Sequence, residues 1–285
     1  MASMRDIKRR KDSIQSTGQI TKAMKLVSTV KLQKARGRAE SAKPFFQATY
    51  ETVSMIMKYS GMTKDGIMKN NPKGKKAVVV VTSNRGLAGG YNSNVVKTVL
   101  AQNWNPEEVL IYAVGHKGMD ALVRNGYTIA ADYSEVINAP LYSDAMTIGK
   151  ELLTGYRKGE IGEIYLAYTA FKNTVVHEPK LLQLLPVDEG LSASPEEAKT
   201  VPMNFEPEAE EVMELIIPKY LNSLLFGAFT EAVASENGAR MQAMDSATSN
   251  AEEMISDLSL KYNRARQGSI TQELTEIIGG AEALS

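Results

Sequence analysis

The stretch Ser83-Asn-Arg-Gly-Leu-Ala-Gly-Gly-Tyr-Asn92 has the glycine content of a phosphate-binding loop. It follows a strand-like run and precedes a helical stretch, where dinucleotide-binding folds place their phosphate loop. Glycine lets backbone amides approach a phosphate at a helix N-terminus. Gly86, Gly89 and Gly90 do not match the G-x-G-x-x-G spacing, however, and no lysine–hydroxyl pair completes a Walker loop. We therefore predict a tight strand-to-helix turn here and no bound cofactor.

The two histidines, His116 and His177, fall in different predicted elements, with no carboxylate at ligand spacing. The chain has no cysteine, which excludes disulfides and thiol chemistry. A histidine at a helix start and one at a strand edge are the ordinary structural interpretations. No Ser/His/Asp set or paired-carboxylate cleft can be named, so the sequence predicts neither catalytic residues nor a metal site.

Charge is balanced overall but unevenly distributed. The chain has 33 basic and 33 acidic residues, which argues against wholesale nucleic-acid binding. Residues 1–43 carry twelve Lys or Arg against three Asp or Glu, whereas residues 206–285 carry five against fourteen. The two ends therefore suit each other electrostatically, although exposed ion pairs are individually weak. The basic run Arg5–Lys11 contains Asp6 and lacks the interleaved aromatic residues typical of nucleic-acid contacts.

No segment has the pattern of a membrane span or a signal peptide. The longest apolar run, Ala77–Val81, is far too short to cross a bilayer. The amino terminus is basic and lacks the apolar core of a signal peptide. We expect a cytosol-facing chain that reaches a membrane only through partners.

Residues 1–60 predict one long helix, and residues 61–76 a polar linker. No proline occurs in the helix before Pro44, which we expect to kink it. The forty residues before that proline would span roughly 60 Å. The apolar stripe is thin, because one heptad register carries Ile7 and Ile14 and then the small residues Thr21, Ser28, Ala35 and Ala42.

Residues 77–206 change period and predict a small α/β domain in the order β-α-β-α-β-α-β-β. Two β-branched runs, Ala77–Thr82 and Val109–Val114, indicate buried parallel strands. The remaining elements with assigned bounds are helices at Tyr91–Gln102, Lys117–Asn125 and Ser143–Arg157 and strands at Ile164–Lys172 and Val175–Pro186.

Residues 207–285 predict a second long helix that starts at Pro207 and bends or restarts at Pro218. A heptad stretch follows in Ala251, Ile255, Leu258, Tyr262 and Ala265. The predicted fold class is therefore α/β plus a long antiparallel coiled coil. The N- and C-terminal helices form a shaft, and the central Rossmann-like α/β domain forms the foot.

The stretch Ser269–Leu284 is the most specific part of the sequence. Apolar residues three or four apart predict a helix with one apolar face, which we expect to insert into something rather than fray in water. Its pattern is an Ile-Thr pair at 270–271, then Glu273, Glu276, Gly280-Ala281 and Ala283. This pattern resembles the C-terminal signature of the gamma subunit of F-type ATP synthases. The first helix and the glycine-rich turn resemble that family too, with Asn84 and Ala88 as departures from its SDRGLCGG-type stretch.

The resemblance covers essentially the whole chain and implies the central rotor stalk of a proton-translocating ATP synthase, itself non-catalytic. It implies one copy inside a ring of three alpha and three beta subunits, with the foot on the epsilon subunit and the c-ring. The absence of cysteine and of a transit sequence favours a bacterial member, peripheral on the cytoplasmic face of the cell membrane. Contacts with the alpha/beta ring are expected at Arg9, Met24, Arg266, Gln267, Thr271 and Glu273.

Two other functions fit parts of the sequence. A nucleotide-binding α/β enzyme with helical dimerisation arms would need a complete phosphate loop and titratable residues gathered at strand ends. A coiled-coil scaffold would need a stronger, unbroken heptad seam. Neither feature is present, so both hypotheses rank below the rotor stalk.

Overall fold

A computed structural model describes residues 4–59, 74–186 and 209–282 of the chain. The chain divides into two compact units. We call Met1–Ser28 with Met241–Ser285 the helical pair, and Thr29–Arg240 the sheet unit. The elements in chain order are α1 Met4–Tyr59, β1 Lys75–Val81, α2 Tyr91–Leu100, β2 Val109–Val114, α3 His116–Arg124, β3 Thr128–Asp132, α4 Tyr142–Arg157, β4 Ile161–Phe171, β5 His177–Leu185 and α5 Ala209–Glu282.

The sheet unit is built on five strands in the order β3-β2-β1-β4-β5. The first four strands are parallel, with Val78 level with both Ile111 and Tyr165. The edge strand β5 is antiparallel to β4 and returns through a short turn in which Asn173 Oδ1 accepts the Val175 and Val176 amides. Crossover helices between parallel strands and a hairpin at one edge are typical of an α/β fold.

Alternate residues of β1 supply two separate cores, one on each face of the sheet. Val78 and Val80 pack in the core that contains residues of α2 and α3. Val79 and Val81 pack in the core that contains residues of α4, α5 and α1. Because β1 is buried on both faces, its sequence is a continuous apolar run rather than an alternating one.

The part of α5 in the sheet unit is a core helix. Leu221, Leu225 and Phe229, four residues apart, are all fully buried.

Each of the two long helices continues through a proline. Pro44 lies inside α1 and Pro218 lies inside α5, so the restart expected at Pro218 does not occur. A proline inside a helix removes the hydrogen bond to the carbonyl four residues earlier. Those carbonyls belong to Glu40 and Glu214, and both residues are exposed.

The helical pair is an antiparallel arrangement of α1 and α5. A Cβ added to Gly18 would lie 3.3 Å from the Ala251 Cβ, and the Thr21 and Thr248 hydroxyls are 2.8 Å apart. Lys25 Nζ is 2.6 Å from an Asp245 carboxylate oxygen. In these three pairs the residue number increases along α1 as the residue number of its partner decreases along α5. The two helices therefore run antiparallel. Small side chains let the two helices approach closely.

The structure confirms the predicted fold class: two long terminal helices paired antiparallel, with a central, mainly parallel α/β sheet. The predicted element order includes a strand between the second and third helices of the α/β domain, to which no bounds were assigned. The structure shows this strand as β3. β1 begins at Lys75, inside the predicted linker, and residues 60–73 and 187–208 lie outside the described part of the chain. The division into segments 1–60, 61–76, 77–206 and 207–285 stays a prediction.

We predict that Leu225→Ala lowers the free energy of unfolding of the sheet unit by about 2–5 kcal/mol, since it leaves a cavity in a closely packed core. Leu215→Ala, on the same helix at a side chain 66% exposed, is the matched control and should change it by less than about 0.5 kcal/mol. Urea unfolding followed by fluorescence of Trp104, the single tryptophan, measures both. Equal losses in the two variants would contradict the assignment of this face of α5 to the core.

Candidate partner-contact surface

The carboxyl-terminal part of α5, residues 266–282, which we call the tip, is helical and carries an uncovered apolar face. Every residue from Ile270 to Ala281 is exposed. The large apolar side chains Ile270, Leu274 and Ile277 are 50%, 54% and 68% exposed. Burying one such side chain is worth about 1.5–3 kcal/mol. An exposed apolar face of this kind marks an interaction site.

The polar residues predicted for partner contact on the tip are all exposed. Arg266 and Gln267 lie on consecutive positions of the helix with their side chains in solvent. The Thr271 hydroxyl donates to the Gln267 carbonyl at 2.9 Å, and a Glu273 carboxylate oxygen accepts from the Ser269 hydroxyl at 3.4 Å. A guanidinium in this position is free to form bidentate contacts with a carboxylate.

Arg9 and Met24, the two predicted contact residues on α1, lie at different heights in the helical pair. Arg9 is exposed, and Met24 is half-buried with its carbonyl accepting from the Ser28 hydroxyl at 2.8 Å. The register that sets Gly18 beside Ala251 puts Met24 level with Asp245 and Arg9 level with Leu260.

The six predicted residues therefore do not converge on one site. In the same register, the first described residue of α1, Met4, is level with Ala265, so the tip extends past the described part of α1. The predicted residues are spread along the length of the helical pair and its tip. Such an arrangement supports an extended interface with several partner surfaces, not a reaction centre.

An apolar patch on α1 was not predicted. Ile20, Leu26 and Val27 are 60%, 62% and 57% exposed on a helix that is otherwise basic. Ile20 and Val27 each come one residue before a buried position of the seam, Thr21 and Ser28. The signal was present in the sequence: from Thr21 onward small residues occupy the heptad register, while the large apolar residues Ile20 and Val27 fall outside it. An inverted pattern of that kind indicates a second, outward-facing contact surface.

The glycine-rich turn is closed by its own hydrogen bonds. Asn84 Oδ1 accepts the His116 amide at 3.0 Å, and the Thr82 hydroxyl accepts the Gly118 amide at 2.8 Å. These amides belong to the first turn of α3, so the two hydrogen bonds tie the start of the turn to the helix that follows β2. The Ser83 amide donates to Asn92 Oδ1 at 2.9 Å. The geometry agrees with the predicted tight turn.

Arg240 on α5 locks this turn in place. Its guanidinium donates to the Arg85 carbonyl at 3.2 Å and to the Gly86 carbonyl at 3.3 Å, and it lies 2.6 Å from a Glu236 carboxylate oxygen. Both side chains of the ion pair are nearly buried, at 11% and 13% exposure. Burial raises the pKa of Glu236, and the nearby Arg240 and Lys31 charges partly offset that rise. The guanidinium thus compensates a nearly buried carboxylate and binds two loop carbonyls.

The two histidines open secondary-structure elements, as predicted. His116 is the first residue of α3, and His177 is the first residue of β5. Among the described residues, no group of three His, Cys, Asp or Glu side chains could hold a metal ion. Within the same ranges, no helix has a stretch long and apolar enough to span a bilayer.

Comparison with known proteins gives the class of the chain. The sequence model of the family described as ATP synthase matches residues 3–284. Two solved structures share the fold: the central stalk/c-ring of the Tetrahymena thermophila mitochondrial ATP synthase and the rotor of the Euglena gracilis enzyme. The first has a TM-score of 0.58 at 26% identity, covering 80% of this chain and 99% of that one. The second has a TM-score of 0.69 at 19% identity, covering 94% and 98%. The chain is a subunit of the ATP synthase class.

The curated relatives identify which subunit family this is. A gamma chain from Lachnoclostridium phytofermentans is 63% identical, with 100% of both chains covered. A gamma chain from Acetobacterium woodii, named as sodium ion specific, is 39% identical over 99% of both chains. The chain belongs to the ATP synthase gamma-chain family, as the resemblance of its C-terminal signature predicted.

We predict that Arg240→Ala destabilises the sheet unit by about 3–5 kcal/mol, because the variant removes the cation that is hydrogen-bonded to the nearly buried Glu236 carboxylate. Replacing both partners by apolar residues, Glu236→Leu with Arg240→Met, removes the buried charge and should recover most of that loss. Urea unfolding gives the energies, and amide hydrogen exchange across residues 83–92 reports the loosened turn. A double variant as unstable as the single one would contradict a charge-compensating role for Arg240.

Proposed function

We propose that this chain is the central rotor stalk of a bacterial ATP synthase, and that the six predicted residues and the tip form its contact surface with the alpha/beta ring. The observation that carries the proposal is the tip: an exposed helix with an uncovered apolar face, on a chain similar to gamma chains over its full length. The chain is a non-catalytic subunit, and the catalytic chemistry belongs to its partners.

The mechanism follows from contact between one asymmetric stalk and several equivalent subunits. A single helical pair presents a basic, partly apolar α1 on one side and an acidic α5 on another, so each surrounding subunit meets a different surface. A partner with two conformations shifts toward the one that its contacts favour. Rotation of the stalk would move each catalytic subunit in turn through its nucleotide affinities, and hydrolysis in those subunits would drive the stalk backwards.

The apolar and the polar residues of this contact surface have different chemical roles in this proposal. Apolar contacts are non-directional, so Ile270, Leu274 and Ile277 can turn inside an apolar sleeve without breaking directional bonds. Arg266, Gln267, Thr271 and Glu273 can form directional contacts that differ between rotational positions. The patch at Ile20 and Val27 would add apolar contact area beside the basic residues of α1.

The remaining partners and the location belong to the same proposal. The sheet unit would rest on the epsilon subunit and on the c-ring, and ion flow through that ring would turn the stalk. The chain would sit peripherally on the cytoplasmic face of the bacterial cell membrane, attached only through its partners. The nucleotide-binding alternative is disfavoured because Gly86, Gly89 and Gly90 match no phosphate-loop spacing and no lysine–hydroxyl pair follows them.

Reconstitution of the purified chain with the alpha and beta subunits of a bacterial ATP synthase tests the proposal. We expect a complex with one copy of this chain and three of each partner, measured by native mass spectrometry. The complex should hydrolyse ATP and the chain alone should not. Failure to form a complex, together with nucleotide turnover by the isolated chain, would favour the nucleotide-binding enzyme instead.

The contact assignment makes a separate prediction. Arg266→Ala and Gln267→Ala should each weaken assembly or lower turnover about fivefold, since an exposed interface contact of this kind is worth about 1 kcal/mol. Lys97→Ala, at an exposed position of α2 in the sheet unit, is the control and should assemble normally. Unchanged complex yield and turnover in both variants would show that the assigned residues do not contact the ring.

A further inference from the structure

One face of α5 in the sheet unit is bonded to the β4–β5 hairpin. The Ser235 hydroxyl donates to the Thr169 carbonyl at 3.1 Å, and a Glu231 carboxylate oxygen accepts the Phe171 amide at 3.3 Å. Positions four residues apart on a helix lie on the same face. Two hydrogen bonds from that face therefore bind the end of β4.

The third contact on this face is close packing between a histidine ring and a glycine, without a hydrogen bond. Gly238 lies three residues beyond Ser235, and a Cβ added to it would lie 2.5 Å from Nε2 of His177. Glycine weakens a helix interior relative to alanine, but here the missing side chain makes room for the imidazole. His177 pairs with Phe171 across the hairpin, with ring centroids 6.1 Å apart.

The seat at Gly238 suits a neutral imidazole only. Nε2 of His177 is buried and has no hydrogen-bond partner among the described residues. Burial lowers the pKa of His177. An imidazolium in the same position would carry a charge with no acceptor, which is costly in an apolar setting.

The charged groups around the hairpin are already engaged. Glu231 on α5 accepts a backbone amide, and Tyr168 on β4 has its pKa raised by burial and by the nearby carboxylates, so its hydroxyl stays neutral. At the hairpin, Glu178 lies 2.9 Å from Lys172 Nζ and 3.8 Å from Lys180 Nζ. Burial of the ring is what lowers the pKa of His177.

We propose that His177 is a pH-sensitive latch: the neutral imidazole seated on Gly238 holds the start of β5 against α5, and protonation of the imidazole releases this end of the strand. The hydrogen bonds from Glu231 and Ser235 then remain as the contacts of that face with β4, while the start of β5 loses its seat. This response is a property of the chain itself and is independent of assembly.

The direction of the pH effect follows from the sign of the pKa shift. The pKa of His177 has the ordinary imidazole value of 6.5 when the ring is released, and it is lower when the ring is seated on Gly238. The seat therefore contributes fully above about pH 6.5 and progressively less as the pH falls toward the lowered pKa, because only the released form binds a proton in that range. Each pH unit in this window favours release by up to about tenfold.

Amide hydrogen exchange of the full-length chain at pH 7.5 and pH 5.5, corrected for the intrinsic rate, tests the latch. We expect protection across residues 171–180 to fall by up to about tenfold at the lower pH. His177→Phe keeps an aromatic ring without a titrating group and should remove the fall. His116→Gln changes the only other histidine and should keep it. A pH-independent hairpin in the unmodified chain, or an equal fall in His177→Phe, would overturn the proposal.

A second measurement needs no variant of the histidine. Exchange of the imidazole C2 hydrogen, read by mass spectrometry against pH, gives the pKa of His177 in the unmodified chain. A pKa below about 6.5 is expected for the seated ring, and a value at or above it would overturn the proposal. Gly238→Ala should lower hairpin protection at both pH values because its Cβ displaces the ring, and unchanged protection in this variant would overturn the seat itself.

Discussion

Burial of α5 against the sheet is the interaction on which the sheet unit depends. Leu221, Leu225 and Phe229 are fully buried in the core that also holds the inward residues of β1, β4 and α4. Each such side chain contributes about 1.5–3 kcal/mol through removal from water. The same stretch of helix carries the polar contacts at Ser235 and Arg240 that bind the hairpin and the glycine-rich turn. A loss of this packing would therefore release the turn, the hairpin and one face of the sheet together.

The helical pair obeys a different constraint, namely close approach without a strong apolar seam. Gly18, Thr21 and Ser28 occupy the inward positions of α1, so its larger apolar residues, Ile20 and Val27, point outward. A conventional coiled coil places its large residues in the seam. The inversion weakens the pairing of the two helices and leaves apolar surface for partners. Such a distribution suits a stalk whose stability in the complex comes partly from the subunits around it.

Much of this structure could be predicted from the sequence, for identifiable physical reasons. The β-branched runs of β1 and β2 indicated buried parallel strands, and the heptad from Ala251 to Ala265 indicated paired helices. The restart that was one of two outcomes expected at Pro218 does not occur, because packing of the flanking residues Ile217 and Leu221 in the core supports the helix through that position. The seat of His177 on Gly238 and the lock at Arg240 join residues far apart in sequence, and no local pattern reports such contacts. The predicted contact residues follow from a resemblance to a family and stay predictions.

Rotation of the chain within an assembled complex is the most direct test of the account. The chain has no cysteine, so Lys97→Cys creates a unique attachment point for a bead on the exposed side of α2. With the alpha and beta subunits fixed to a surface, ATP should drive the bead in one direction in steps of about a third of a turn, as three equivalent catalytic subunits require. Sustained ATP hydrolysis with a stationary bead would contradict the assignment of this chain as the rotor stalk.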